Sequence, residues 1–296
     1  MTRATNGRSA LAIHVDLDGA THIFRAHGQS FRGPRDSIYS SGMQAMLELF
    51  AEHQVRATLF VISEDTRDPA KRALIAEALK RGHELASHTV QHPNLLRVSS
   101  RDKERELSDS KKEIEDAFGV RVTGFRAPGY AMDAEGLRIL GAAGYLYDSS
   151  GFATPEFARR FACTLDELAE PRRFERYNGI IELPLPGPAP RAMPLGPSLS
   201  LAFAIPAARF TLWRAAQRKV PTALLFHLID FAAPIEREYR GNARLSLFTL
   251  STRSAAAKRR ACGRLLRYAR SRFNLTPTLN LLAPLVPDLV PLVPDS

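Results

Sequence analysis

The sequence predicts an α/β fold in which parallel strands form a TIM-like barrel. Short apolar or β-branched runs alternate with amphipathic segments of about 10–18 residues, which is the pattern of repeated strand–helix–strand units. Glycine follows several predicted helices, as is typical of a left-handed helix stop. Reactive polar side chains come at the ends of several strands, and in barrels such residues meet at one face. An open doubly wound sheet is the competing fold, because it also collects strand ends at one edge.

In the first half of the chain, apolar runs predict strands and apolar residues at helical spacing predict helices. The first helix contains Met43, Met46, Leu47 and Phe50 at such spacing. The predicted elements are strand 11–17, helix 42–53, strand 56–62, helix 69–81, strand 83–87 and helix 101–118. Residues 20–41, rich in Gly, Arg and Ser, are predicted to form a long inserted loop. This loop would overhang the face at which the polar strand ends meet.

The second half continues the alternation and then changes character. The predicted elements are strand 122–126, helix 133–143 and strands 145–148, 180–185 and 222–228, which brings the strands to seven. Residues 252–272 are predicted to form a basic amphipathic helix, because they contain many arginines, no acid and apolar residues at helical spacing. Residues 276–296 repeat Pro-Leu-Val-Pro-Asp and are predicted to be an extended or partly disordered Pro-rich tail.

A chain of 296 residues with 45% apolar residues can hold one large α/β domain or two small ones, and a single domain over residues 10–275 is predicted. The net charge is +10, and much of it lies in the basic helix. That helix either contacts a partner such as an anionic membrane, or is a solvated outer helix with Leu265, Leu266 and Tyr268 in the core. Nucleic acid is not expected as a partner, and the oligomeric state is left open.

A cytoplasmic location is expected, with peripheral contact at the inner face of the membrane. The only two cysteines, Cys163 and Cys262, lie far apart and provide no disulfide framework, which fits a reducing compartment. The N-terminal residues 1–9 are short and polar and do not resemble a secretory signal. We find no apolar stretch of transmembrane length in the sequence.

Two pairs of residues indicate a metal site. His88 and His92 are four residues apart, and on a helical turn both imidazoles would share one face. Asp16 and Asp18 are two apart, so in an extended segment they share a face, and one of two such close carboxylates is expected to hold a cation. One Asp and two His leave coordination positions open for water and substrate, which is typical of a catalytic metal site.

Two further residues could complete a mechanism, although each also has a structural interpretation. Arg126, in Phe-Arg-Ala-Pro-Gly-Tyr, is either a fixed cation beside a carboxylate or a surface arginine before a turn. His227 ends a very apolar strand and is either a core histidine or a site residue. The other histidines have no partner at ligand spacing and are assigned as structural: His14, His22, His27, His53 and His83. His22 and His27 could also line the site, since they lie in the insertion.

The order of these segments resembles the polysaccharide deacetylases, also called carbohydrate esterase family 4 or NodB-homology proteins. The resemblance runs from about Leu11 to His227. His-Thr-Val-Gln-His at 88–92 is similar to the family's H-(S/T)-x-x-H, and Asp-Leu-Asp at 16–18 to a variant first motif. Phe-Arg-Ala-Pro-Gly-Tyr and Leu-Phe-His are similar to the third and last motifs. The resemblance implies a distorted (β/α)7 barrel and a divalent metal ion, most often Zn²⁺, with Co²⁺, Mn²⁺ or Ni²⁺ as alternatives.

The resemblance also implies a role for each matching residue. Asp18, His88 and His92 would be the metal ligands. Asp16 would be the general base, held by Arg126, and His227 would be the general acid. Gly129 would donate its backbone N–H to the oxyanion, with Tyr130 beside it at the substrate. The implied activity is hydrolytic N-deacylation, above all deacetylation, of an N-acyl amino sugar in a polysaccharide or lipid-linked glycan.

The chain departs from the family pattern at the fourth motif, where members have an Asp and a Trp that tune the acid histidine. Trp213 does not align with that motif, and Asp148 is only a loose substitute. The variant first motif is also similar to that of a cytoplasmic deformylase of a lipid-linked amino sugar. Three alternatives therefore stay open: an amidase or deformylase that acts on a non-polysaccharide amide, an iron(II) oxygenase on the same ligands, and a non-catalytic glycan- or membrane-binding domain.

Overall fold

A mostly parallel β-sheet forms the centre of the fold in the computed structural model, which describes residues 7–186 and 205–286. Within these residues the sheet has nine strands. They are β1 (Ala10–Asp16), β2 (Thr58–Val61), β3 (Glu84–Ser87), β4 (Gly124–Phe125), β5 (Tyr147–Asp148), β6 (Arg172–Phe174), β7 (Ile180–Glu182), β8 (Thr222–His227) and β9 (Asn274–Leu275).

Ten α-helices lie between and after these strands in the described residues. They are α1 (Ala20–Ala26), α2 (Ser37–Glu52), α3 (Pro69–Lys80), α4 (Ser100–Phe118), α5 (Ala134–Ala142), α6 (Pro155–Arg160), α7 (Ile205–Arg218), α8 (Ala243–Phe248), α9 (Ala255–Arg272) and α10 (Thr278–Leu282). Their ends follow local signals, because Asp68, Ser99 and Asp133 cap the starts of α3, α4 and α5. Gly119 ends α4 with a φ of 65°, as the glycine pattern predicts.

The strand order confirms the predicted α/β fold of the TIM-like, NodB type. The order is β6-β7-β5-β4-β3-β2-β1-β8, and β9 pairs with the start of β1. Every strand pair is parallel except β6 with β7. The sheet curls as a half-barrel, and in such a sheet the carboxyl ends of the parallel strands share one face. The site is therefore expected at that face.

All seven predicted strands are present, and several are shorter than predicted. The observed β4, β5 and β7 keep only two or three residues each of the predicted 122–126, 145–148 and 180–185. The sequence does not predict β6 or β9. In β6 two of the three residues are exposed arginines, and β9 is two residues long, so neither has the apolar run that marks a buried strand.

The prediction of a structureless loop at residues 20–41 is wrong, because α1 and the first turn of α2 occupy part of it. A single carboxylate organises both helices. The Asp36 side chain caps α2 by accepting from Tyr39 N–H at 3.1 Å, and the same oxygen accepts from Ala20 N–H at 2.9 Å. Since Asp36 lies 16 residues after Ala20, the first of these helices depends on a distant cap that local composition does not reveal.

The prediction of an extended tail after residue 275 is wrong for the described part of that tail. Residues 278–282 form α10, and four of its five residues are buried, including Leu279, Leu281 and Leu282. These leucines belong to the main hydrophobic core, so the core extends past the predicted domain boundary. The sequence pattern does not predict this helix, because the segment is rich in proline and Pro277 directly precedes the helix. The rest of the predicted tail, from 287, lies outside the described residues.

We expect the substitution Leu282→Ala to lower the free energy of unfolding by about 3 kcal/mol, because it removes a fully buried side chain and leaves a cavity. Urea denaturation followed by circular dichroism would measure the change. The matched control is Leu165→Ala, where the leucine is 45% exposed and a change below about 0.5 kcal/mol is expected. Equal effects of the two substitutions would contradict the packing described for α10.

Candidate metal centre and catalytic site

Four of the predicted site residues lie at the carboxyl ends of strands. Asp16 ends β1 and His227 ends β8, and the two are register partners in the parallel pair. His88 directly follows β3, and Arg126 directly follows β4. Because these strands are close neighbours in the sheet, the fold brings together side chains that are more than 200 residues apart in sequence.

Asp18, His88 and His92 form a group that could hold a metal ion, since one ligand atom of each lies within 4.8 Å of the others. Asp18 Oδ1 is 3.5 Å from His88 Nε2 and 3.2 Å from His92 Nε2. This oxygen is buried and has no hydrogen-bond partner among the described residues. A carboxylate and two imidazoles are a donor set found in catalytic zinc sites. The residues therefore fit a divalent ion.

The orientation of His88 is fixed by its second ring nitrogen. His88 Nδ1 lies 2.7 Å from the carbonyl oxygen of Arg126, and because a carbonyl can only accept, Nδ1 carries the proton. This leaves the lone pair of Nε2 directed toward Asp18. Burial also lowers the pKa of His88 to about 4, so the ring is neutral near pH 7. Both features are what a metal ligand requires.

The loop at His88–His92 is a tight turn rather than a helical turn, so the predicted reason for the four-residue spacing is wrong. Thr89 and His92 have φ values of 69° and 62°, which β-branched and bulky residues rarely adopt. The Thr89 hydroxyl accepts from His92 N–H at 2.9 Å. The Glu106 carboxylate on α4 accepts from two successive N–H groups of the loop at 2.8 and 2.9 Å. Sequence reasoning missed Glu106, which has no motif of its own.

The Asp16 carboxylate lies between a cation and the candidate metal centre. Arg126 donates from Nη1 to Asp16 Oδ1 at 2.8 Å. The other oxygen, Oδ2, is 4.0 Å from His88 Nε2 and 3.7 Å from His227 Nε2. One oxygen is thus held by an ion pair, while the second faces the two histidines. The surface interpretation of Arg126 is wrong, because its side chain is fully buried.

Four further contacts hold the Arg126 guanidinium. It donates to the carbonyl oxygen of Ser149 at 2.8 Å and to the Ser149 hydroxyl at 2.9 Å. It also lies 2.6 Å from His14 Nδ1 and 4.1 Å from the centre of the Phe60 ring. His14 is structural, as predicted, but it acts on the site through Arg126. Sequence reasoning missed this role because a histidine at mid-strand carries no such signal.

A chain of buried hydrogen bonds continues from His14 away from the site. His14 accepts from Arg126 at Nδ1, so Nε2 donates, and it lies 2.9 Å from the Thr278 hydroxyl of α10. The Thr278 hydroxyl is 2.6 Å from that of Thr58, which donates to Glu84 at 2.9 Å. Burial raises the pKa of Glu84 to about 7. The described part of the tail is thereby connected to the arginine that holds Asp16.

His227 lies at the rim of the site, with a side chain 23% exposed. Its backbone N–H donates to the Asp230 carboxylate at 2.8 Å, and Asp230 is fully buried. Lys258 of α9, also fully buried, donates to the carbonyl oxygens of Ile229 and Ala232 at 2.9 and 3.0 Å. Sequence reasoning missed Asp230 and Lys258. A buried lysine therefore fixes the loop that follows the predicted acid.

Asp148, the predicted loose substitute for the fourth-motif aspartate, does not serve His227. It lies opposite Glu182 as a register partner in the β5–β7 pair, and both carboxyls are fully buried. Burial raises the pKa of both groups, that of Asp148 to about 6. Asp148 accepts from the Ser150 hydroxyl at 2.7 Å, and Ser150 accepts from Ala127 N–H at 2.8 Å. The pair therefore supports the start of the segment that leads to Gly129.

Gly129 and Tyr130 form the turn that follows Arg126. Their φ values are 55° and 59°, so two successive residues adopt the left-handed conformation. Gly129 adopts this conformation without steric cost because it has no Cβ atom. At Tyr130 the same conformation is strained, and such strain is common at functional sites. The Tyr130 hydroxyl is buried with no hydrogen-bond partner among the residues described. The nearby carboxylates of Asp16 and Asp18 add to burial in raising its pKa.

Of the two insertion histidines, His22 lies against the candidate metal centre. Its ring centre is 6.1 Å from that of His92. His22 Nε2 is 3.1 Å from both carboxylate oxygens of Asp65, which holds it in the wall of the site. His27 instead stacks near Phe248 of α8, with ring centres 4.5 Å apart.

Comparison with known proteins supports the family resemblance. Residues 34–147 match the family model described as polysaccharide deacetylase. A chitooligosaccharide deacetylase of Sinorhizobium fredii (strain NBRC 101917 / NGR234) is 39% identical over 69 residues, which cover 23% of this chain and 31% of the relative. The match thus spans less than a third of that relative's length. These matches confirm the resemblance to the polysaccharide deacetylase family.

Solved structures agree on the fold. A protein of Mycobacterium smegmatis, described as a polysaccharide deacetylase, has a TM-score of 0.66 at 18% identity, over 100% of this chain and 96% of that chain. An allantoinase (Puue) has a TM-score of 0.62 at 14% identity, over 97% of this chain and 94% of that chain. At such identities the similarity concerns the fold alone.

We expect Glu182→Gln to change how stability depends on pH. Burial raises the pKa of Glu182 in the folded state. The contribution of this carboxyl to the free energy of unfolding is therefore fully present below about pH 4, and it is lost as pH rises through the folded-state pKa. A glutamine amide can donate to Asp148 at every pH. As pH rises from about 4 toward the raised folded-state pKa of Glu182, the variant should therefore gain stability relative to the wild type, by up to about 1.4 kcal/mol per pH unit, as measured by urea denaturation.

The matched control for this experiment is Glu175→Gln, where the side chain is 76% exposed. Its stability should run parallel to that of the wild type across the same pH range. Parallel curves for Glu182→Gln as well would contradict the raised pKa of the buried Glu182 carboxyl.

Proposed function

We propose that this protein hydrolyses the N-acyl group of an amino sugar in a polysaccharide or lipid-linked glycan, with acetyl as the first candidate acyl group. The observation that carries the proposal is the position of Asp16. One of its oxygens is paired with Arg126, and the other faces both the candidate metal centre and His227. Metal-assisted amide hydrolysis requires a base, an acid and a site for a Lewis acid close to one another.

In this proposal Asp18, His88 and His92 hold a divalent ion, with Zn²⁺ as the first candidate and Co²⁺, Mn²⁺ or Ni²⁺ as alternatives. When bound, such an ion supplies Lewis acidity to the acyl carbonyl and to the attacking water. The neutral His88 and the buried, unpartnered oxygen of Asp18 support this assignment. His92, 3.2 Å from the same oxygen, completes the set.

The chain's own groups would carry the protons. Asp16 takes a proton from the attacking water, and its ion pair with Arg126 keeps the carboxylate in place for this task. The backbone N–H of Gly129 donates to the oxygen that gains negative charge, and Tyr130 lies beside it. His227 protonates the nitrogen of the leaving amine. Water and amide are thereby converted into a carboxylic acid and a free amino sugar.

A second candidate is hydrolysis of a non-sugar amide by the same residues, as an amidase or deformylase. The similarity in fold to an allantoinase favours keeping this candidate, because the fold alone does not select the sugar. The two are separated by the released product. Acetate or formate would be assayed with N-acetylated chitooligosaccharides and with allantoin, and mass spectrometry would search lipid-linked intermediates for the loss of one acyl group when the protein is present.

We further propose a single catalytic domain that begins near residue 10 and continues past the predicted boundary at 275 to include α10, whose leucines belong to the same core. We propose that it works in the cytoplasm at the inner face of the membrane. The cysteines support the location, because Cys163 and Cys262 are both free thiols, which suits a reducing compartment. No helix in the described part of the chain has the length and apolar character needed to cross a bilayer. Membrane contact would therefore be peripheral.

We expect Asp16→Asn to retain metal while activity falls by about 10²–10⁴-fold, because the amide cannot accept the proton of water. His88→Ala should lose both metal and activity, since it removes a ligand. Metal content would be measured by mass spectrometry of the purified proteins, and hydrolysis by acetate release. The matched control is His53→Ala, a histidine outside the site, which should retain both. Full activity of Asp16→Asn on a confirmed substrate would refute the mechanism.

A further inference from the structure

The outer face of helices α7 and α9 has an unusual distribution of charge. Together the two helices contain ten Lys and Arg residues and no Asp or Glu, which equals the net charge of +10 of the whole chain. The helices pack against each other, and Arg209 of α7 lies over the Tyr268 ring of α9 at 4.6 Å. The excess positive charge of this protein is therefore concentrated on these two helices.

Not all of these cations are available to a partner. Lys258 points inward to the loop after β8, and Arg259 pairs with Glu48 and Glu52 of α2. Arg270 donates to backbone carbonyls at the end of α2. The inward face of α9 is thus part of the core, and Leu265 and Leu266 are buried as predicted.

The remaining arginines of α9 form an exposed row. Arg260, Arg264 and Arg267 follow at helical spacing, all three are exposed, and they have no salt bridge within residues 7–186 and 205–286. On the neighbouring helix Arg209 and Arg218 are exposed as well. Their charges are unbalanced by any acid on either helix, so an anionic surface would be attracted to this side.

Helix α7, which packs against α9, carries an exposed aromatic pair. Phe210 is 57% exposed and Trp213 is 41% exposed, and their rings stack with centres 5.7 Å apart at an angle of 25°. Large exposed aromatics next to arginines are typical of helices that lie in the headgroup region of a bilayer. Because the two rings cover each other, they offer less face for stacking with nucleic acid bases.

We propose that Arg260, Arg264, Arg267, Phe210 and Trp213 form a surface that docks on an anionic phospholipid bilayer. The inner face of the same helix contacts the surroundings of the site, since Lys258 near the start of α9 bonds to the loop that follows His227. In the docked protein, a lipid-linked sugar would reach the site from the bilayer surface. Only this last step rests on the proposed function, because the docking itself requires no hydrolysis.

Vesicle binding tests the proposal with the full chain. Sedimentation with phosphatidylglycerol-containing vesicles at low salt should be strong, and it should be weak with pure phosphatidylcholine. Trp213 is the only tryptophan of the chain, so its fluorescence should shift to shorter wavelength on binding and be quenched by brominated lipids. The triple variant Arg260→Glu, Arg264→Glu and Arg267→Glu should lower the affinity by at least about tenfold.

The matched control makes the same charge change elsewhere, with Arg101→Glu, Arg121→Glu and Arg138→Glu, three exposed arginines in or beside α4 and α5. Its affinity for vesicles should stay close to that of the wild type, with only the small loss that a lower net charge causes. The proposal is overturned by indifference to lipid charge, by equal loss in both variants, or by binding that leaves Trp213 fluorescence unchanged. It is also overturned if a second copy of the chain occupies the surface, seen as a dimer that the triple variant abolishes.

Acetate release from a water-soluble chitooligosaccharide distinguishes the two hypotheses. If the triple variant hydrolyses it like the wild type but does not bind vesicles, docking and chemistry are separate functions of the chain. If the wild type binds vesicles but hydrolyses no amide, the proposed function fails while the docking surface stands.

Discussion

A guanidinium group that has no access to water needs a carboxylate to balance its charge and an acceptor for each of its donors. Arg126 pairs with Asp16 and also donates to His14 and Ser149, so that four hydrogen bonds are present for its five N–H groups. These partners lie on strands or strand ends of the same sheet. Breaking such a buried pair costs about 3–5 kcal/mol. The ion pair that stabilises the buried charge of Arg126 therefore also fixes the position of Asp16, the proposed base.

Arg126 also joins the two halves of the candidate site. Its backbone carbonyl accepts from His88, which sets the ring for the metal centre, while its side chain holds Asp16. The next residue, Ala127, is held through Ser150 by the carboxyl pair at Asp148. One strand end thus positions the proposed ligand His88, the proposed base Asp16 and the start of the Gly129 turn, so the geometry of these groups is mutually dependent.

The position of the reactive groups at strand ends can be predicted from the sequence, because each motif follows an apolar run. Asp16, His88, Arg126 and His227 all lie at or directly after the ends of strands that are buried almost throughout. The partners that hold them are not predictable in this way. Glu106, from the middle of α4, holds the loop between His88 and His92, which carries two of the candidate ligands, across 15 residues of sequence. Its position depends on helix packing, which no local pattern encodes.

The basic helix shows a second limit of reasoning from sequence. Composition leaves open whether residues 252–272 contact a partner or the core, and the structure shows that different cations of α9 have different surroundings. Lys258 is buried against the loop after β8, whereas Arg260 and Arg264 face solvent. Only the three-dimensional packing separates a lysine that supports the interior from arginines that remain on the surface. A count of charges contains no such distinction.

The hydrogen bond between His14 and Thr278 has a consequence for synthesis on the ribosome. His14 lies near the start of the chain and Thr278 near its end, 264 residues later, yet both are buried and linked to Arg126. While the nascent chain is still short of α10, Nε2 of His14 has not met this partner and the leucines of α10 cannot close the core. The groups of the candidate site can therefore reach the arrangement described above only after translation has passed this segment.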